Sequence, residues 1–185
     1  MPAKLRKAAI LMGKTLTFRN AQVHDADFIL TLRTDKEKSR YLSSTNGDLY
    51  EQQVWLDRYA TDDKQVYFII EYQDEPIGTV RLYDPQVNSF CWGSWILANT
   101  RPSHAAMESA LMVYVYALDH LDFTAAHFDV RKGNERVWQF HERFGADRVD
   151  EDRDNYFYRL NETAIKASRR RYRRFLEDSV KVEFL

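Results

Sequence analysis

The chain has 185 residues, a formal net charge of −1, 44% hydrophobic residues and 30% charged residues. That length fits one folded domain with an appended segment, and the balance excludes a disordered or fibrous chain. The longest apolar runs, such as Ala110–Leu118, fall far short of the roughly 20 residues needed to span a bilayer. The single cysteine, Cys91, excludes an internal disulfide and a cysteine-built zinc site. Leu5–Gly13 is interrupted by Arg6 and Lys7 and leads into no small-residue cleavage pattern, so no signal peptide is expected and the expected location is cytoplasmic. Charge is segregated: 1–14 carries Lys4, Arg6, Lys7 and Lys14 and no acid, 161–185 carries seven basic and four acidic residues, and 15–160 holds the remaining 16 basic and 24 acidic ones. The expected organisation is a basic N-terminal extension (1–14), a folded domain (15–160) and a basic helical tail (161–185).

Thr15–Arg19 alternates polar residues with Leu16 and Phe18, as a strand does. Asp25 stands as N-cap before Phe28, Ile29 and Leu32 at helical spacing. Ser43–Asp48 is a loop, and Leu49–Ala60 is a second helix carrying Val54, Trp55, Leu56 and Tyr59. Gln65–Tyr72 and Ile77–Tyr83 form a hairpin around the turn Gln73–Pro76, and Ser89–Leu97 follows as a third strand. His104–Leu121 places Leu111, Val115 and Leu118 on one helical face. Ala125–Val130 is a short buried strand, Asn134 caps a helix through Phe144 that Gly145 stops, and Tyr156–Leu160 is the last strand.

The order β–α–α–β–β–β–α–β–α–β defines an α/β protein. A helical crossover makes its flanking strands parallel. The expected architecture is a mixed, mostly antiparallel central sheet with helices on both faces. Parallel neighbours at the centre of such a sheet can be splayed, opening a cleft to a ligand; the element order sets the α/β class and not yet the specific topology.

Two stretches suggest chemistry. Gly93, within Trp92-Gly93-Ser94-Trp95, marks a strand bulge or simply gives two tryptophans room to pack. Arg101-Pro102-Ser103-His104-Ala105-Ala106 joins a strand to a helix. A helix start offers unpaired N–H groups and a positive dipole end, which suit phosphate, and the small residues 105 and 106 allow close approach. The competing reading is an ordinary helix start with Ser103 as cap.

These residues resemble the GCN5-related N-acetyltransferase superfamily over about 15–160. Its phosphate loop reads Arg/Gln-x-x-Gly-x-Gly/Ala; Arg101 and Ala106 match, and His104 stands where glycine is usual. Glu108 and the preceding Gly93-Ser94-Trp95-Ile96 resemble the branch that acetylates ribosomal-protein N-termini and small or sugar amines. A second block is matched by Asn134, Val137, Phe140, His141 and Gly145, with Ala146 replacing its terminal aromatic.

The resemblance implies an acetyl-CoA-dependent N-acetyltransferase. Acetyl-CoA, as co-substrate, is expected between strands 89–97 and 125–130. Its pantetheine pairs near Ile96 and Leu97, its pyrophosphate meets Arg101 and the N–H groups of Ser103, His104, Ala105 and Ala106, and Asn134 touches the pantetheine arm. His104 either shapes the loop or contacts a phosphate. A backbone N–H on the bulged strand stabilises the oxyanion. His141 occupies the position of the usual tyrosine acid, with a packing role as the competing reading. The usual glutamate base position is Cys91, which leaves water, Glu71, Glu108 or Asp129. The loop carrying Asn46, Asp48 and Tyr50 is expected to line the acceptor site.

The expected acceptor is a small-molecule primary amine, such as an amino sugar on a nucleotide carrier. Alternatives are a protein N-terminus and a non-catalytic acetyl-CoA-fold binding module. The tail's Arg169, Arg170, Arg171, Arg173 and Arg174, interleaved with Tyr172 and Phe175, are expected to be solvated on one side and docked on the other rather than to bind nucleic acid. No metal and no membrane contact are expected, and the oligomeric state is monomer or homodimer.

Overall fold

The computed structural model describes residues 3–38, 40, 41, 44–176 and 179–185. Ser43, at the start of the expected loop, lies outside the described residues. The strands are β1 (Ala8–Met12), β2 (Leu16–Asn20), β3 (Val66–Tyr72), β4 (Glu75–Tyr83), β5 (Ser89–Leu97), β6 (Ala125–Arg131), β7 (Asp147–Glu151), β8 (Asn155–Asn161) and β9 (Lys181–Phe184). The helices are α1 (Ala26–Thr34), α2 (Leu49–Thr61), α3 (Ala105–Val115, running on as a wider turn over Tyr116–His120), α4 (Glu135–Arg143) and α5 (Glu162–Arg171).

All nine strands form one sheet in the order β7-β8-β6-β5-β4-β3-β2-β1-β9. Every neighbouring pair is antiparallel except β5 with β6. The fold is therefore mixed α/β and mostly antiparallel, with one parallel pair, as expected. Side chains alternate across the sheet. Phe68 and Ile70 of β3 point into the large core with α3, whereas Tyr67 and Ile69 join Ile29, Leu56 and Tyr59 under α1 and α2. Helices cover both faces.

Three strands lie beyond the sequence expectation. β1 and β9 pair with each other, so residues on either side of 15–160 extend the sheet. β7 is exposed throughout and pairs only with β8. Its charged residues suit an edge strand but carry no period-two apolar signal. The β3–β4 turn is tighter than expected. Gln73 and Asp74 take positive φ (52° and 63°), the geometry of a two-residue hairpin, so β4 already begins at Glu75.

α3 is buried on all sides from Glu108 to Val115, not along one stripe. Its second face is covered by the C-terminal segment: Ile165, Leu176 and Val180 belong to the same core, and the Tyr172 ring stacks on Phe144 at 5.5 Å. Arg169 forks onto Asp119, both bonds at 2.8 Å. The arginine-rich segment thus docks one side against its own sheet.

Two expected caps make no cap bond. Asp25 makes no cap bond to α1. Its carboxylate accepts two bonds from the Arg19 guanidinium (2.7 and 2.8 Å) and one from the Gln22 N–H (2.8 Å). Asn134 precedes α4 without a side-chain cap bond.

Candidate active site

β5 and β6 are paired only at Ser89–Ala125 and Phe90–Ala126. Beyond that point β5 stays with β4 and β6 stays with β8, so the sheet opens. The register on β4 explains where β5 bends. Gly93 lies opposite Arg81 and Ile96 opposite Thr79, giving β5 one extra residue, a bulge. Ser94 occupies the left-handed region (φ 46°), which is uncommon for a non-glycine residue and flags a strained local backbone. The buried Thr79 hydroxyl donates to the Ser94 carbonyl at 2.8 Å and ties the bulge to β4. Both readings of Trp92-Gly93-Ser94-Trp95 hold together: the bulge is present, and the tryptophans pack. Trp92 Nε1 donates to the Tyr114 hydroxyl and Trp95 Nε1 to the Ser109 hydroxyl, both at 3.1 Å.

Three cavities meet along this opening. The first, about 450 Å³, lies between Trp95, Ile96 and Leu97 of β5, Arg101 and Ala106 at the start of α3, and Arg136, Val137, Phe140 and Arg143 of α4. The second, also about 450 Å³, fills the splay itself, between β5 at Trp92–Trp95, β6 at Phe128–Arg131, and Asn134, Val137 and His141. Trp95 and Val137 border both. The third, about 260 Å³, lies under the loop before α2, between Arg33, Asn46, Glu51, Trp55, Tyr67, Arg81 and Ser94. Arg81 and Ser94 border it and the second.

Of the expected co-substrate residues, Ile96, Leu97, Arg101 and Ala106 border the first cavity, and Asn134 borders the second, its side chain making no cap bond to the helix although its carbonyl accepts from Val137 and Trp138 N–H. Ser103, His104 and Ala105 border neither. α3 begins at Ala105, and Ser103 is not its cap. His104 Nε2 lies 2.7 Å from Thr15 Oγ1, which shapes the loop, and Ala105 is fully buried. In the first turn of α3 the Ala105 N–H is taken by the Pro102 carbonyl (3.1 Å), and Ala106 brings that turn to the cavity wall. Arg136 and Arg143, absent from the sequence reading, face the first cavity one heptad apart on α4. Their spacing in the sequence was the signal for a shared helical face.

The acid and base candidates separate sharply. Glu108 is fully buried and accepts from the Thr15 N–H (2.6 Å), the Thr15 hydroxyl (2.6 Å) and the Leu16 N–H (2.9 Å), so it pins the β1–β2 hairpin to α3. Glu71 is held by Arg19 Nε at 2.6 Å. Burial pushes the Cys91 thiol up to about 11. Among the four alternatives to Cys91, Asp129 is the carboxylate that borders the splay, and it is exposed. His141 is boxed by Phe128 (ring centroids 4.2 Å), Trp92 (5.3 Å) and Phe140 (5.7 Å), and its Nδ1 is buried without a partner. Burial lowers its pKa to about 3, so the ring is neutral at physiological pH. In the acceptor loop, Asn46 borders the third cavity, Asp48 caps α2 by accepting from the Glu51 N–H (3.1 Å), and Tyr50 points to solvent. Among the described residues, no three histidine, cysteine or carboxylate side chains are grouped to hold a metal ion, and no helix is long and apolar enough to cross a membrane.

A mixed sheet that splays at one parallel pair, with a bulged strand on one side and a helix start on the other, defines an α/β protein with a ligand cleft at the splay, and the fold alone does not fix its chemistry. The chain belongs to the GNAT acetyltransferases: the family model described as "Acetyltransferase (GNAT) domain" matches residues 15–147. Among solved structures it is similar to FdhC, described as a nucleotide-linked sugar GNAT in its apo form, at 39% identity over 95% of this chain and 99% of that one (TM-score 0.82). It also shares the fold of a GCN5-related N-acetyltransferase from Brucella melitensis (15% identity, 94% and 88% covered, TM-score 0.78). A spermidine N-acetyltransferase from Vibrio cholerae, in complex with CoA and spermine, shares it too (17%, 82% and 98%, TM-score 0.74). No curated protein sequence matches the chain.

Proposed function

We propose that the protein transfers the acetyl group of acetyl-CoA to the amine of a nucleotide-linked amino sugar. The observation that carries this reading is the trough formed by the three cavities. It runs from a basic cavity, through the splay, to an arginine-bearing pocket on the α1–α2 side. The 39% identity to a nucleotide-linked sugar GNAT supports the choice of acceptor.

The first cavity fits a CoA-type diphosphate. Arg101, Arg136 and Arg143 supply positive charge around the first turn of α3, and Ala106 leaves that turn open. In this reading the N–H groups of Ser103, His104 and Ala106 complete the anion site, the expected Ala105 N–H being spent on the Pro102 carbonyl (3.1 Å), and the β5 backbone at Ile96 and Leu97 pairs with the pantetheine arm. The Asn134 side chain, free of the helix, holds the same arm. Acetyl-CoA supplies the activated carbonyl.

The chain's own residues do the rest. Asp129, directly or through water, takes a proton from the acceptor ammonium. The nitrogen then forms its bond to the carbonyl carbon as the carbon–sulfur bond breaks, and the second proton it sheds passes to water, which returns one to the departing sulfur. A backbone N–H of the bulge holds the oxyanion. His141 contributes as a neutral imidazole: one N–H faces the departing sulfur from the cavity wall, and the proton that completes the thiol comes from water. An imidazolium donor is too costly among three aromatic rings.

The test is thiol release from acetyl-CoA with a panel of amines: nucleotide-linked amino sugars, spermidine, and a peptide with a free N-terminus. Turnover is expected with a nucleotide-linked amino sugar. Turnover confined to spermidine or the peptide overturns the acceptor, and no turnover with any amine leaves a binding module.

A further inference from the structure

Arg81 is an unusual residue for the middle of a sheet. It sits on β4, half buried, between the second and third cavities. Its guanidinium lies over the Tyr83 ring at 4.8 Å and the Trp55 ring at 5.4 Å. Those contacts are with ring faces, which supply no hydrogen-bond acceptor for its N–H groups. Among the described residues those groups have no carboxylate or carbonyl partner, and Nε is buried with none. Burial lowers the Arg81 pKa, the sign of a cation held without compensation.

Arg33 of α1 borders the same third cavity. Tyr67, only 2% exposed, borders it too, and its hydroxyl is buried beside Arg33 and Thr79 without a well-formed hydrogen bond. The pocket's carboxylate, Glu51, is at the exposed edge and is engaged by the Asn46 amide. Two guanidinium groups and a sealed hydroxyl donor converging on one pocket make a site for an anion with several acceptor oxygens. An uncompensated cation that stays half buried is costly to the fold, and a ligand that brings the countercharge offsets that cost.

We infer that the third cavity is a diphosphate subsite, in which Arg81, Arg33 and the Tyr67 hydroxyl hold the phosphates that link the acceptor's sugar to its nucleoside. The inference rests on the acceptor reading above and adds the place where that acceptor is gripped. Ser94 borders the same pocket, so a sugar anchored there has its ring beside the bulge.

Coenzyme A carries a diphosphate of its own, so the test fills the first cavity before it probes the third. Protein saturated with coenzyme A is titrated calorimetrically with inorganic pyrophosphate and with uridine diphosphate. Binding is expected, and it weakens by about 30-fold in Arg81→Gln and Arg33→Gln, the scale of one lost charge-assisted bond. The melting temperature of Arg81→Gln stays at or above that of the parent, because the substitution removes an uncompensated charge, whereas a structural arginine would lower it. In turnover, Arg81→Gln raises KM for a nucleotide-linked amino sugar and leaves KM for acetyl-CoA unchanged. Wild-type affinity for both probes in Arg81→Gln overturns the subsite, as does an absence of binding to the coenzyme A-saturated parent. Arginine-dependent binding of the probes without turnover of any nucleotide-linked amino sugar upholds the anion site and removes only the acceptor reading.

Discussion

On the face of the sheet covered by α3 and α5, the buried polar groups of those helices are matched, Glu108 by three donors, the Tyr114 hydroxyl by Trp92 Nε1 and the Ser168 hydroxyl by the Phe144 carbonyl at 2.6 Å, and the unpartnered His141 Nδ1 belongs to α4 at the splay. On the face covered by α1 and α2, the apolar cluster is small, Arg81 Nε is buried without a partner, and the Tyr67 hydroxyl is buried without a well-formed hydrogen bond. The first face is finished by the chain itself. The second keeps unspent hydrogen-bonding capacity where the proposed acceptor arrives. The comparison assigns stability to one side of the sheet and selectivity to the other, with the splay as the seam between them.

The contrast breaks first at Glu108. Glu108→Ala should cost about 4 kcal/mol, because two N–H groups and a hydroxyl lose a charged acceptor in a sealed site. That corresponds to a fall of about 10 °C in melting temperature, and urea unfolding measures it directly. A loss below about 1 kcal/mol would mean that the α3 face does not carry the stability assigned to it.

The seam responds to acid. The native His141 pKa is about 3 against an ordinary 6.5. Between those values the unfolded chain binds a proton that the native one refuses. Its contribution is whole above pH 6.5 and is lost as the pH falls toward 3, amounting to a few kcal/mol. Stability measured from pH 7 to 4 should fall less steeply in His141→Phe than in the parent. Parallel curves would show that the ring is not held neutral by burial.

A smaller effect tests the proposed co-substrate cavity. Ala106→Ile should weaken acetyl-CoA binding by about 30-fold, the equivalent of about 2 kcal/mol of steric conflict, with the melting temperature nearly unchanged. Unaltered affinity by calorimetry would move the diphosphate away from the start of α3. The smallest effect belongs to Asn134. With no cap bond to lose, Asn134→Ala should alter stability by no more than about 0.5 kcal/mol while weakening acetyl-CoA about tenfold. A drop of 1 kcal/mol or more in stability would restore the capping role.

Much of the architecture was legible in the sequence. Alternation marked β2, a β-rich run and its turn marked the β3–β4 hairpin, helical spacing marked α1, a cap and a stopping glycine marked α4, and the run of elements set the α/β class. Less regular segments were not legible. β7 carries no alternation because it is an edge strand with no buried face, and β1 was masked by the basic residues around it. α3 was read as one-sided because the residues that bury its other face lie some 60 positions later in the chain. In the site, the small residue Ala106 and the free Asn134 stood out as a local pattern, whereas Arg136 and Arg143 needed a helix to bring them to one wall.

By itself the sequence determined what local rules govern: the periods of the elements, the turns, and the block that places small residues at a strand-to-helix junction. Only the tertiary structure decided which polar groups are spent and which are free. Asp25 turned to Arg19 instead of capping α1, Glu108 became a pin rather than a base, and His141 lost its charge to three aromatic neighbours. Among the described residues, Arg81 Nε stayed buried without a partner. The reason is the same in each case. A side chain's protonation and partners depend on burial and on groups brought near from distant positions, and neither is encoded in the residues beside it.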